Sequence, residues 1–146
     1  MNYSDLIHLY FERSNAMQAY WNLYVVIVGG LLAFSSLRKQ PAAITTAIVS
    51  ILFLLFAYKN LDAMHDVTVQ RFATIEAIKH FDPNIVGITA ARQQRELIEP
   101  TLTPATYGSV RATHVTSDIL TIAALWAMEL RRRRLHSPPN EGGDRQ

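Results

Sequence analysis

The sequence predicts an all-α fold: an integral membrane helical bundle with three transmembrane helices extended beyond the bilayer. Three observations predict it. Two long apolar runs carry no formal charge. No proline or glycine interrupts residues 42–82. Four consecutive arginines, Arg131 to Arg134, follow directly on a third apolar run.

The first run covers 17–37, "MQAYWNLYVVIVGGLLAFSSL". About 20 apolar residues rising ~1.5 Å each match a hydrocarbon layer of ~30 Å. Tyr20, Trp21 and Tyr24 gather at one end, where an aromatic belt belongs, and Arg38 and Lys39 close the other. The second run, 42–58, "AAITTAIVSILFLLFAY", lies at the short limit of a span. Gln40-Pro41 breaks the chain before it, so the two runs read as a helical hairpin with a basic turn. The third run, 115–130, "VTSDILTIAALWAMEL", is weaker because it contains Asp118 and Glu129. An acidic residue at mid-membrane costs roughly 2.5–3.5 kcal/mol, and much less near an end. Both acids are near ends, which makes this a marginal span that needs its neighbours.

The arginines behind that run match a stop pattern better than a nucleic-acid patch. Net charge is only +2 over 146 residues, and no aromatic residues interleave the basic run. The expected partners are the lipid bilayer, with anionic headgroups at the basic ends, and no nucleic acid. Arg38, Lys39, Arg131, Arg132, Arg133 and Arg134 then act as topology anchors on the cytoplasmic side. This puts the N-terminus and the 59–114 segment outside, in what reads as a bacterial inner membrane. No basic segment precedes the first run, so no cleaved leader is expected. The absence of cysteine excludes disulfides, thiolate metal sites and a cysteine nucleophile.

The helices outlast the membrane. One helix is expected from Pro41 to just before Pro83, with Leu61, Met64, Val67, Phe72, Ile75 and Ile78 as an apolar stripe outside the bilayer. Ser4 is the expected cap of a helix that carries Leu6, Ile7, Tyr10 and Phe11 into the first span. Thr103-Pro104 is the expected opening of the third helix. "FDPNIVG" reads as a turn and Thr89 to Glu99 as a short polar helix stopped by Pro100. Residues 1–136 form one membrane-embedded domain on this reading, and 137–146 a tail disordered by composition.

The same topology brings Glu12, Asp62, His65, Asp66, His114 and Asp118 near one level, as candidate ion-handling residues. Carboxylates with histidines can bind a cation or relay protons. The plainer alternative, favoured for metal, is solvated surface pairs such as Asp62 with Lys59. Gln18, Asn22, Gly29, Gly30, Ala33, Thr46 and Ser50 are expected helix-packing positions, because amides and small residues in a span face other helices. There is no glycine-rich phosphate loop, HExxH or GxSxG pattern, so no catalytic residue, metal or cofactor is assigned. The expected function is that of a small multi-pass membrane protein without enzymatic activity. It would act by helix–helix association, as a homo-oligomer or a subunit of a membrane complex. The alternative is an oligomeric ion channel or ion-coupled transport element with an acidic/His mouth and with Asn15, Gln18 and Asn22 lining the path. A membrane hydrolase is the weakest alternative, since no nucleophile is evident.

Overall fold

The computed structural model describes residues 3–81 and 96–136. Helix α1 covers Tyr3–Leu37, α2 Ala43–Lys79 and α3 Tyr107–His136. A helical turn at 96–98 runs into a 3-10 turn, Glu99–Thr101. The described residues contain no strand. α2 folds back antiparallel on α1, α3 runs parallel to α1, and each of the three packs on both others. At ~1.5 Å per residue, α1 and α2 are each over 50 Å long. Both are long and apolar enough to cross a membrane, by length and composition; α3 is not among the helices that meet that test.

A single seam holds the bundle. In α2 the buried positions are Thr46, Ser50, Phe53, Ala57, Asn60, Met64, Val67, Thr68, Thr74, Ile75 and Ile78, with Arg71 half-buried between Val67 and Thr74. Apart from Thr68 and Ile75, which widen the buried stripe, steps of four and three alternate along the series through Arg71, the 3.5-residue period of a left-handed coiled coil. α1 answers with Leu6, Tyr10, Met17, Tyr24 and Ser35. α3 answers with Val110, His114, Thr121, Leu125, Glu129 and Arg132.

The chemistry of this seam shifts partway along. At the N-terminal end of the bundle it is mainly apolar: Leu6 and Tyr10 meet Ile75, Ile78 and Leu102, and Met17 meets Met64, Val67 and Val110, with Thr68 and Thr74 also buried. The outer surface at that level carries Glu12, Asp62, His65, Asp66, Glu76 and Lys79 beside Phe11, Val69 and Phe72. At the other end polar residues enter the seam: Ser35, Thr46, Ser50, Asn60, His114, Thr121, Glu129 and Arg132 are buried alongside Tyr24, Phe53, Ala57 and Leu125. There the outside carries Leu23, Val25, Val26, Phe34, Ile44, Ile48, Ile51, Leu52, Leu54, Leu55, Ile119, Leu120 and Leu130, all exposed. The switch falls at one level, near residues 22, 58 and 118. Water favours the first arrangement. The second suits surroundings that reward exposed hydrocarbon and leave polar groups to find partners inside.

Several local expectations are corrected. Ser4 lies within the first turn of α1 rather than ahead of it. α3 opens three residues later than Thr103-Pro104: Thr106 Oγ1 accepts the Ser109 N–H at 3.3 Å, and the Thr106 carbonyl accepts that of Val110 at 3.1 Å. Thr106 is therefore the cap. α2 begins at Ala43 and ends at Lys79, where the His80 and Phe81 amides donate to Glu76 and Ile78 carbonyls. Of the stripe expected outside the bilayer, Met64, Val67, Ile75 and Ile78 are buried, while Phe72 is 41% exposed. Phe72 misses the seam because Thr74 and Ile75 occupy the next inward positions. The turn from Asp82 to Gly87, most of the Thr89 to Glu99 helix, and the 137–146 tail lie outside the described residues.

Candidate functional site

Where the seam changes character, α3 directs His114 into the bundle with no exposed surface. Asp118, one helical turn on, stands beside it on the same face, and its side chain is 15% exposed. His114 Nδ1 lies 3.0 Å from Asp118 Oδ2, and Tyr24 of α1 donates its hydroxyl to Asp118 Oδ1 at 2.8 Å. Asn60 of α2 donates Nδ2–H to His114 Nε2 at 3.2 Å. An accepting Nε2 leaves the proton on Nδ1, so Nδ1–H points at the carboxylate. One network thus joins all three helices. The His114 ring packs 4.2 Å from the Tyr24 ring centre and 5.9 Å from that of Trp21.

This geometry orients and locks more readily than it reacts. Nε2, the atom a general base would offer, is engaged by Asn60. His114 is sealed from outside, and Asp118 already accepts from two donors. Such a group ties helices together, at ~0.6 kcal/mol for an average hydrogen bond between membrane helices.

A second polar cluster closes the basic end. Glu129 has no exposed surface, yet it lies at the edge of the bundle and is covered by arginine side chains. Arg38 and Arg132 each approach its Oε2 at 3.6 Å, and Arg133 Nε donates to Oε1 at 3.3 Å. Arg38 also donates to Thr46 Oγ1 at 3.1 Å and to the Ala42 carbonyl at 3.0 Å. Arg132 donates to the Ser35 carbonyl at 2.7 Å and to its hydroxyl at 3.0 Å. Ser35 is in the last turn of α1, where carbonyls lack helical partners. Arg38 and Arg132 thus satisfy backbone at the hairpin turn as well as balancing a carboxylate.

The residues expected to handle ions do not converge. Glu12 pairs with its neighbour Arg13 at 3.8 Å, Asp62 with Lys59 at 3.5 Å, and His65 with Asp66 at 3.4 Å, all at the surface. His65 also sets its ring edge-on to Tyr107. Of the six, only His114 and Asp118 meet inside the bundle. Among the described residues no group of three or more His, Asp or Glu could hold a metal ion. Thr46 and Ser50 are seam residues, and Ser50 Oγ donates to the Thr46 carbonyl. Gln18, Asn22, Gly29, Gly30 and Ala33 face away from the bundle, and a Cβ built on Gly29 or Gly30 meets nothing within 4 Å. Lys39, Arg131 and Arg134 are exposed. Asn60, and the inward role of Tyr24, were not singled out by sequence reasoning. The signal for Asn60 was its place in the alternating three–four spacing from Thr46 to Met64. No family model, curated protein or solved structure matches the chain.

Proposed function

We propose that the chain is a three-span membrane protein of a bacterial inner membrane, N-terminus outside and C-terminus cytoplasmic, that acts by lateral helix–helix association and has no enzymatic activity. One observation carries the association. On the side of α1 opposite its seam, Asn15, Gln18, Asn22, Val26, Gly29, Ala33 and Ser36 are all exposed and follow the same three–four spacing. Lipid-facing positions in a span are ordinarily large and apolar, as they are on α2. Amides and small residues repeated at this period suit a second helix at close range. A second copy of the chain is the simplest occupant, with a membrane-protein partner as the alternative.

α3 becomes a span on this reading because its polar residues, His114, Thr121 and Glu129, are inside the bundle, while Val115, Ile119, Leu120 and Leu130 are outside. The alternative, an oligomeric ion channel or ion-coupled transport element, would place Asn15, Gln18 and Asn22 on a path between copies, since Phe53, Met64 and Leu125, 2%, 0% and 2% exposed, fill the centre of a single bundle.

The chain has no cysteine, so single cysteines can be placed without background. Oxidation of native membranes should crosslink variants at Asn22, Gly29 and Ala33, but not at Ile48 or Leu55. Uniform crosslinking, or none at the α1 positions, removes the association. Crosslinks with that period to another protein identify a hetero-complex. Reporter fusions at residues 39, 80 and 140 should read inside, outside, inside.

A further inference from the structure

The arginine run divides into two pairs with different tasks. Arg132, buried, and Arg133, half-exposed, reach Glu129. Arg131 and Arg134 lie on the opposite side of α3, exposed, with no ion pair among the described residues. With Ala127, Leu130 and Leu135 they line an open depression of about 440 Å³ along one face of α3. Ala127 and Leu130 precede the two arginines on the helix, on the bilayer side in the proposed topology, and Leu135 follows them. That order matches one phospholipid, with phosphate at the arginines and the upper acyl chain against Leu130 and Ala127.

We propose that Arg131 and Arg134 form a binding site for an anionic phospholipid of the leaflet at the basic end. Each guanidinium presents a planar fork of donors that fits phosphate oxygens in pairs. The two are three residues apart on one helix face, close enough to share one headgroup. Arg132 and Arg133 cannot substitute, because Glu129 and Ser35 hold them. The occupant is a lipid rather than free phosphate because the apolar walls contribute only if the ligand carries a chain. The proposal rests on the membrane reading above.

Native mass spectrometry of the full chain, released from detergent after titration with dioleoylphosphatidylglycerol, tests it. The parallel probes are dioleoylphosphatidylcholine and inorganic phosphate. Wild type should retain phosphatidylglycerol about twenty-fivefold more tightly than phosphatidylcholine, given that each of the two basic side chains near a charged lipid surface contributes about fivefold. Arg131→Gln/Arg134→Gln should lose that preference. Arg13→Gln/Arg111→Gln removes the same charge from the other end and should keep it. Equal retention of the two lipids, equal loss in both double variants, or displacement by phosphate at the lipid's own concentration overturns the proposal. Carbonate extraction of cell membranes separates the two levels. A chain that stays in the pellet without lipid preference defeats this site alone, whereas one released to the supernatant defeats the membrane reading and this site with it.

Discussion

Replacing His114 with alanine is the sharpest probe of the polar layer. The change deletes hydrogen bonds to Asn60 and Asp118 and removes a ring packed on Tyr24 and Trp21. One bond joins α3 to α2 and the other lies within α3; at about 0.6 kcal/mol each they contribute together about 1.2 kcal/mol. Large-to-small changes in water-soluble cores cost about 2–5 kcal/mol, part of which is hydrophobic transfer that lipid does not supply. Keeping only the packing share adds about 1–2 kcal/mol. The expected loss is thus about 2–3 kcal/mol, roughly a thirty- to hundredfold shift in the unfolding equilibrium. Unfolding in mixed micelles with increasing SDS fraction, followed by far-ultraviolet circular dichroism, measures it. His65→Ala is the control, because His65 is at the surface and should change stability by no more than about 0.5 kcal/mol. A His114→Ala protein as stable as the His65→Ala protein would refute the network as a structural tie. A double-mutant cycle with Asn60→Ala isolates the pair and should return a coupling of about 0.6–1.7 kcal/mol.

Glu129→Gln should destabilise by about 1–3 kcal/mol, below the usual cost of orphaning buried charge, because the amide oxygen still accepts one arginine hydrogen bond; the same SDS titration measures it. Thr106→Ala should cost about 1 kcal/mol, seen as faster amide exchange confined to 107–110, and unchanged exchange there would show that the cap is elsewhere. Phe53→Ala should cost about 3 kcal/mol while Leu55→Ala costs under about 0.5, since Phe53 is 2% exposed and Leu55 61%. Equal losses at 53 and 55 would mean that the two faces of α2 do not meet different surroundings.

The helical class and the two hairpin helices were legible because length and lack of charge are properties of a continuous stretch. Sites depended on facing, which composition does not report. Gly29, Gly30 and Ala33 were identifiable as small, but not as pointing away from the bundle. Glu12, Asp62, His65 and Asp66 shared a level with His114 and Asp118, yet a level is a ring around three helices, and only two of these residues turn inward. The arginines read as one block because they are consecutive, whereas a helix advances about 100° per residue and sends alternate pairs to opposite sides.

α3 shows how a one-dimensional average hides two unlike faces. Between 115 and 130 its exposed residues include Val115, Ile119, Leu120, Ala123, Ala127 and Leu130, while its inward residues include Asp118, Thr121 and Glu129. Summing both faces makes the helix look too polar for hydrocarbon; its outward face alone has the character of those on α1 and α2. α3 buries His114, Glu129 and Arg132 along with Val110 and Leu125, while exposing Ile119, Leu120 and Leu130. The buried polar positions gather toward one end of the bundle and are shared by three separate stretches of chain. A common boundary across independent helices is what an interface between two solvents would impose, and this is what supports the membrane reading proposed above.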